Sequence, residues 1–287
     1  MSSHTFLVWG GNGWIGSMLC KLLEKEGHIA IVAKTRLQDY MGIVKELKEI
    51  KPDFVLNCAG ITGRPTIDWC ETNKQETFLI NTIGTVNLAD ACWRNDIHMT
   101  NYATGCIYSY TEETPIGSKY TELDPPNFRG STYSTSKVLA EELLAVYDNV
   151  LTLRIRMPIS DDLHPKSLIT KLSKYSKLID IPNSVTILPE LLPISIKLTL
   201  DRKKGIFNFT NPGAISHNEI MALYKKHIDP SFIWENFTEE EQNAILKSKR
   251  SNCHLDTSKL QSCYDVTEIH QALDTLLANI STKLKNV

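Results

Sequence analysis

Between a short apolar run, Thr5–Trp9, and a helical pattern through Leu19, Leu22 and Leu23 stands Gly10-Gly11-Asn12-Gly13-Trp14-Ile15-Gly16, which restricts the fold of this chain more than any other segment. Glycines 11, 13 and 16 satisfy G-x-G-x-x-G, and glycines 10, 13 and 16 satisfy G-x-x-G-x-x-G. Without Cβ atoms the backbone turns tightly, approaches a pyrophosphate and presents the N–H groups of a helix start to its charge. A turn that binds nothing is the bland alternative, and the placement between strand and helix weighs against it. Gly10, Gly11, Asn12, Gly13, Trp14, Ile15 and Gly16 are therefore the first expected dinucleotide contacts.

Strand and helix patterns alternate downstream. Apolar runs predict strands at Ile29–Ala33, Phe54–Asn57, Thr100–Ala103, Leu151–Ile155 and Ile206–Thr210; helical periodicity covers Gly16–Glu26, Met41–Ile50, Thr72–Asn95 and Tyr133–Tyr147. The alternation predicts an α/β fold with a doubly wound parallel sheet of the Rossmann kind, whose ligands sit beyond the carboxyl ends of the strands. Asn57–Gly60 and Ala103–Cys106 fall there, which adds Asn57, Ala59 and Gly60 to the expected cofactor contacts. Residues 1–157 are read as the dinucleotide-binding domain, with a returning strand near 206–211. After Pro158, prolines 165, 182, 189, 193 and 212 punctuate shorter elements, so 158–287 is read mainly as a smaller substrate-binding lobe.

Composition narrows the partners. A chain of 287 residues with 42% hydrophobic content can bury a sizeable core. A net charge of −2 with dispersed lysines and arginines leaves no basic stripe for nucleic acid. No apolar run approaches the roughly twenty residues that span a bilayer. The first strand starts almost at Met1 and leaves no room for a signal peptide, so the expectation is a cytoplasmic protein without a membrane partner. Seven cysteines, at 20, 58, 70, 92, 106, 253 and 263, form no C-x-x-C pair, which suggests neither a metal site nor a disulfide framework.

Tyr133 and Lys137 lie four residues apart on a predicted helix and so share one face. A cation beside the phenol favours phenolate and makes Tyr133 a usable proton donor to a carbonyl oxygen near neutral pH. Thr104, at the end of a predicted strand, would orient that carbonyl. Cofactor choice is read at the end of the second strand, where a carboxylate would bond the ribose hydroxyls of NAD and a cation would pair with the extra phosphate of NADP. Ala33-Lys34-Thr35-Arg36 has no carboxylate before Asp39. Lys34 and Arg36 therefore point to NADPH, with acceptance of NADH left open.

Gly10–Gly16, Asn57-Cys58-Ala59-Gly60, Asn81, Thr104, Tyr133 and Lys137 together resemble an extended short-chain dehydrogenase/reductase of the dTDP-4-dehydrorhamnose reductase type. Longer strings carry the resemblance further. Ile61-Thr62-Gly63-Arg64-Pro65, Asp68-Trp69-Cys70-Glu71, Asn101 to Ile107, Arg154 to Ser160, Leu168 to Lys171, Ile181 to Ser184, Glu190 to Ser195, Asn208 to Gly213 and Ser216 to Glu219 are similar to the plant bifunctional UDP-4-keto-6-deoxy-glucose 3,5-epimerase/4-reductases of UDP-rhamnose synthesis. The resemblance implies two reactions on one sugar nucleotide. Cys106 and Lys171 match the acid/base positions of the plant enzymes, and Asn81 either bonds locally within its helix or holds Lys137 through water. The 4,6-dehydratase domain that precedes this unit in the plant synthases is missing, so a separate dehydratase would supply the 4-keto sugar. A homodimer through helices flanking the sheet is implied as well, with no sequence feature that fixes it.

Arg64, Arg156, Asn183, Asn211, His217 and Arg250 are candidates for gripping the nucleotide diphosphate and sugar, since guanidinium forks suit anions. UDP rests on the plant resemblance alone. Two rival readings stay open: a 4-reductase that accepts sugar already epimerised elsewhere, and a non-catalytic NADP-binding redox sensor. Sensors of this kind lose the tyrosine–lysine pair, and this chain keeps it.

Overall fold

The computed structural model describes residues 2–64 and 66–285; Met1, Pro65 of one resemblance string and the last two residues of the expected lobe lie outside them. In chain order the elements are β1 (Thr5–Trp9), α1 (Trp14–Lys25), β2 (Ile29–Val32), α2 (Tyr40–Ile50), β3 (Phe54–Asn57), α3 (Trp69–Thr72), α4 (Lys74–Phe78), a π-helical segment (Leu79–Gly84), α5 (Thr85–Arg94) and β4 (His98–Thr104). There follow α6 (Thr132–Leu144), β5 (Val150–Ile155), α7 (Leu168–Leu172), β6 (Lys177–Leu178), α8 (Leu188–Leu200), β7 (Gly205–Asn208), α9 (His217–His227), β8 (Glu235–Asn236), α10 (Glu239–Ile245), α11 (Ser258–Gln261) and α12 (Ile269–Lys285).

Six strands form one sheet in the order β2-β1-β3-β4-β5-β7. β1 pairs parallel with β2 and β3, and β3 parallel with β4, in a register that sets Trp9 beside Asn57 and Asn57 beside Asn101. Phe6, Leu7, Val8, Val55 and Leu56 have no exposed surface, as continuous apolar runs require in a sheet covered on both faces. The chain leaves β1 for β2 on one side and returns to β3 on the other. That reversal opens a crevice beyond the carboxyl ends of β1 and β3.

The contacts divide the chain into two compact units with discontinuous bounds: Met1–Ile107, Phe128–Arg154 and Pro193–Phe207 in the first, and Tyr108–Asn127, Ile155–Leu192 and Asn208–Val287 in the second. Where the sequence placed one boundary after residue 157, residues 108–127 leave the first domain. Backbone bonds explain it: Tyr110 N–H reaches the Asn252 carbonyl at 2.8 Å and Tyr120 N–H the His254 carbonyl at 2.8 Å. In the second unit, Ile159, Ile169, Val185, Ile215 and Ile220 pack with Leu273, Leu277 and Ile280 of α12.

The single helix expected over Thr72–Asn95 is broken into α3, α4, the π segment and α5. A π turn inserts an extra residue and rotates the face that follows, often at functional sites. Here it directs Asn81 and Thr82 to α6, where Asn81 Nδ2 donates to Ser136 Oγ at 3.1 Å and Thr82 Oγ1 donates to the Ser136 carbonyl at 2.7 Å. On its other side α6 is tied to β5 by the buried pair Glu141–Arg154, bonded through Nε at 3.0 Å and Nη2 at 2.7 Å. Two buried charges are tolerable only with such bidentate pairing. Among the described residues no helix is long and apolar enough to cross a membrane, and no cluster of His, Cys, Asp or Glu could hold a metal ion.

Candidate active site

The glycine turn lies against the end of β3. Gly10 has φ +75°, and a Cβ there would stand 2.7 Å from the Ala59 nitrogen, so only glycine allows the two loops to meet. A Cβ on Gly16 would collide with the Gly10 carbonyl, so the turn and the first turn of α1 close-pack. Gly13 is the N-cap of α1, and the helix opens Trp14-Ile15-Gly16-Ser17 without a competing carboxylate. Its backbone N–H groups and the positive end of its dipole are thus placed to take an anion. The expected contacts Gly10 to Gly16, Ala59 and Gly60 are brought to one place.

Asn57 and Asn81 brace the loop that follows β3. Asn57 Nδ2 donates to Asn101 Oδ1 at 2.9 Å, and its Oδ1 accepts Ala59 N–H at 3.2 Å. Asn81, fully buried, exchanges two bonds with the Ile61 backbone, at 2.8 and 2.9 Å. A Cβ on Gly60 would come within 3.1 Å of Lys137 Nζ and 3.3 Å of Asn81 Oδ1. Glycine at 60 is therefore the space in which lysine and asparagine converge.

Tyr133 enters from the first turn of α6. That turn is capped by Ser131, whose Oγ accepts Ser134 N–H at 3.0 Å. Glu71 of α3 also clamps it, accepting Thr132 N–H and Thr132 Oγ1–H at 2.7 Å each. The carboxylate supplies negative charge at a helix start whose own first turn is neutral. Thr104 ends β4, and its Oγ1 accepts Cys106 N–H at 3.1 Å while the threonine also acts on the Tyr133 phenol. Thr104, Cys106, Tyr133 and Lys137 form one constellation in the first unit.

The electrostatics differ from the simple expectation of a lysine lowering a tyrosine. Burial pushes the Tyr133 phenol up and the neighbouring Cys106 thiol adds to this, while the Thr104 hydrogen bond opposes it. Lys137 is itself pushed down to about 8, because burial disfavours its charge; Cys70 opposes the shift. Both groups are desolvated, and for each that outweighs the neighbours. Lys137 is thus still mostly charged at pH 7 and loses its proton just above.

The second unit holds the remaining candidates. Lys171 lies on α7, exposed, with its pKa lowered by desolvation and by Lys166. Arg156 is buried; it donates to Asn183 Oδ1, to Ser251 Oγ at 2.9 Å and to the Ser251 carbonyl at 2.6 Å. His217 stands at the start of α9 and is pushed down to about 4 by burial, with Arg156 adding and Asp180 opposing. It is neutral at pH 7, and its Nε2 has no hydrogen-bond partner among the described residues. Asn211 spends its amide on Glu190 Oε2 at 2.7 Å and the Thr267 carbonyl at 3.0 Å, and Arg250 donates to Ser248 Oγ at 2.7 Å. Asn211 and Arg250 are therefore tied to their own surroundings, whereas Arg156, Asn183 and His217 gather. Arg64 is exposed in the first unit.

Three residues escaped the sequence reading. Cys70 is fully buried beside Tyr133 and Lys137, Glu71 clamps α6, and Glu46 of α2 bonds the turn that follows β2. The signal for Glu46 was present: it falls three residues after Ile43 and one before Leu47, on the apolar face of α2. Glu71 and Cys70 sit in a short helix whose fold-back to α6 leaves no local pattern.

A family model, NAD dependent epimerase/dehydratase, matches residues 6–156. The chain is 52% identical over 264 residues to the bifunctional dTDP-4-dehydrorhamnose 3,5-epimerase/dTDP-4-dehydrorhamnose reductase of Arabidopsis thaliana, covering 91% of this chain and 88% of that protein. It is also 52% identical to a trifunctional UDP-glucose 4,6-dehydratase/UDP-4-keto-6-deoxy-D-glucose 3,5-epimerase/UDP-4-keto-L-rhamnose-reductase of the same plant, and spans 90% of its own length but 39% of that relative's. The crystal structure of the UDP-rhamnose synthase of Acanthamoeba polyphaga mimivirus superposes with a TM-score of 0.93 at 41% identity, covering 96% of this chain and 99% of that one. The dTDP-4-dehydrorhamnose reductase of Bacillus anthracis, solved with NADP, shares the fold at a TM-score of 0.82 and 16% identity, over 97% of this chain and 99% of that one. The chain belongs to the NAD dependent epimerase/dehydratase family, in the branch that contains the bifunctional 3,5-epimerase/reductases.

Proposed function

We propose that this chain is a bifunctional 3,5-epimerase and NADPH-dependent 4-reductase that converts UDP-4-keto-6-deoxy-D-glucose to UDP-L-rhamnose. The observation that carries the reading is the Thr104–Cys106–Tyr133–Lys137 constellation on a framework closely similar to a bifunctional relative. The glycine turn, the open start of α1 and Lys137 beside Gly60 fit a nicotinamide dinucleotide. When bound, that cofactor supplies the hydride for C4. Gly10 to Gly16 hold its diphosphate, Lys137 its ribose, and Lys34 with Arg36 a 2′-phosphate.

The C4 ketone acidifies the protons at C3 and C5, because each carbanion is an enolate. Cys106 and Lys171 remove and return those protons, and burial together with Lys166 shifts the Lys171 pKa down, in the direction a base requires. Thr104 and Tyr133 donate to the C4 oxygen as charge develops there. Tyr133 then protonates that oxygen in the reduction, and the positive charge of Lys137 stabilises the resulting phenolate. Its high pKa keeps the phenol protonated until that moment. Arg156, Asn183 and His217, with Arg64, Asn211 and Arg250, are the proposed substrate contacts, and the second unit is the proposed substrate lobe. A 4,6-dehydratase activity supplies the 4-keto sugar.

Incubation with UDP-4-keto-6-deoxy-glucose and NADPH in deuterated water tests the reading. The expected product is UDP-L-rhamnose with deuterium at C3 and C5. NADPH consumption that yields an unepimerised 6-deoxy sugar without ring deuterium would reduce the function to the 4-reductase step. Leu79, Ile83, Trp93 and Leu143, on the π segment, α5 and α6, are exposed, which supports a homodimer through these helices. Light scattering is expected to give twice the 32.4 kDa chain mass; a monomer at micromolar concentration removes the dimer.

A further inference from the structure

The end of β2 carries a feature that the order of residues conceals. Glu46, 8% exposed on the inner face of α2, accepts Lys34 N–H through Oε1 at 2.8 Å and Thr35 N–H through Oε2 at 2.9 Å. The same turn is held from the other side by Trp9, whose Nε1 donates to the Thr35 carbonyl at 3.0 Å. Asp39, the next carboxylate in sequence, caps α2 by accepting Gly42 N–H at 2.9 Å. Both carboxylates near the strand end are therefore engaged with backbone, while the side chains of Lys34 and Arg36 are exposed.

We propose that Glu46 is a positioning residue for cofactor choice: it locks the turn from which Lys34 and Arg36 project, so that their cations meet a ribose 2′-phosphate already in place. The proposal rests on the NADPH reading above. A carboxylate at this strand end can serve NAD directly, by accepting ribose hydroxyls. Here it is turned inward and acts through the backbone, which lowers the ordering cost of a phosphate clamp. The 2′ position is the part of the ligand that distinguishes the two cofactors. Loosening the turn should therefore weaken NADPH selectively, whereas damage to the glycine turn would weaken both.

The experiment measures dissociation constants of NADPH and NADH by tryptophan fluorescence for the wild type, Glu46→Gln, Arg36→Ala and the double variant. The glutamine side chain sets an amide donor against one of the two N–H groups. With Glu46→Gln, the NADPH constant is expected to rise about tenfold and the NADH constant less than about twofold, the effect of losing one charge-assisted hydrogen bond. In the Arg36→Ala background, where Lys34 alone is left to meet the phosphate, the same change should move the ratio less than it does in the wild type. Equal losses for both cofactors, or an unchanged ratio, overturn the proposal and leave Glu46 a structural residue. A wild type that binds NADH more tightly than NADPH overturns the NADPH reading itself, a separate outcome visible before any variant is made. If Glu46→Gln does not fold, Trp9→Phe removes the Thr35 bond while keeping the ring. It should shift the ratio in the same direction, and no shift counts against the proposal.

Discussion

Replacing Cys106 by alanine is expected to give a protein that still reduces a C4 ketone but no longer inverts its neighbours. The backbone bond from Cys106 N–H to Thr104 Oγ1, 3.1 Å long, survives the change, so the loop that carries Thr104 keeps its shape. Only the thiol is lost. General acid/base groups contribute about 10²–10⁴ in rate, so solvent deuterium entering C3 and C5 should slow by that factor. Reduction of a sugar already in the L-configuration should fall by less than about tenfold, since Tyr133, Lys137 and Thr104 remain. The Cys106 thiol is one cause of the raised Tyr133 pKa, so its removal should also bring the phenol down somewhat. Deuterium exchange that continues near the wild-type rate would take the acid/base role away from Cys106. A parallel loss of exchange and reduction would instead make the thiol part of the hydride step.

The parts legible in the sequence are those written locally. The strand, glycine turn and helix at Thr5–Lys25 follow from one stretch of chain, and the Rossmann sheet follows from the repetition of apolar runs. Gly10 and Ala59 could be nominated together because both lie after a strand in a parallel sheet, and such ends converge. What stayed hidden depends on contacts between distant segments. The helical pattern of 72–95 gave no sign of the π turn, because a π turn preserves the composition of the helix and alters only its phase. Glu46 lies on the apolar face of α2, which marks it as buried, but its partners Lys34 and Thr35 are set only by the docking of α2 on the sheet. Asn211 was a candidate for gripping the nucleotide diphosphate and sugar, and no local pattern announced that its amide bonds Glu190 and Thr267. The electrostatic sign was also out of reach. Spacing alone places an ammonium near a phenol, but burial decides which form each prefers.

Lys137→Met should separate the cost of that burial from its use. The native lysine is pushed down to about 8 from 10.5, so the folded protein holds a charge it would rather release. Below pH 8 the lysine is protonated in both folded and unfolded chains, and the folded state carries the full desolvation penalty. Between pH 8 and 10.5 the unfolded chain binds more protons, so wild-type stability rises with pH across that window. Above it the penalty is gone. A shift of this size corresponds to about 3 kcal/mol. Methionine fills similar space without charge, so at pH 7 the variant should melt about 5 °C higher than the wild type. The advantage should shrink as the pH is raised from 8 towards 10. Catalysis should move the other way, with C4 reduction falling by about 10²–10⁴ as the phenolate loses its neighbouring cation. Wild-type reduction should itself decline as pH rises through about 8, where Lys137 loses its charge. Calorimetry across this pH range checks the first half and NADPH oxidation the second. A variant less stable than the wild type at pH 7 would mean that partners of the ammonium outweigh its burial. A gain in stability with unchanged reduction would show that the charge at position 137 is not what assists Tyr133.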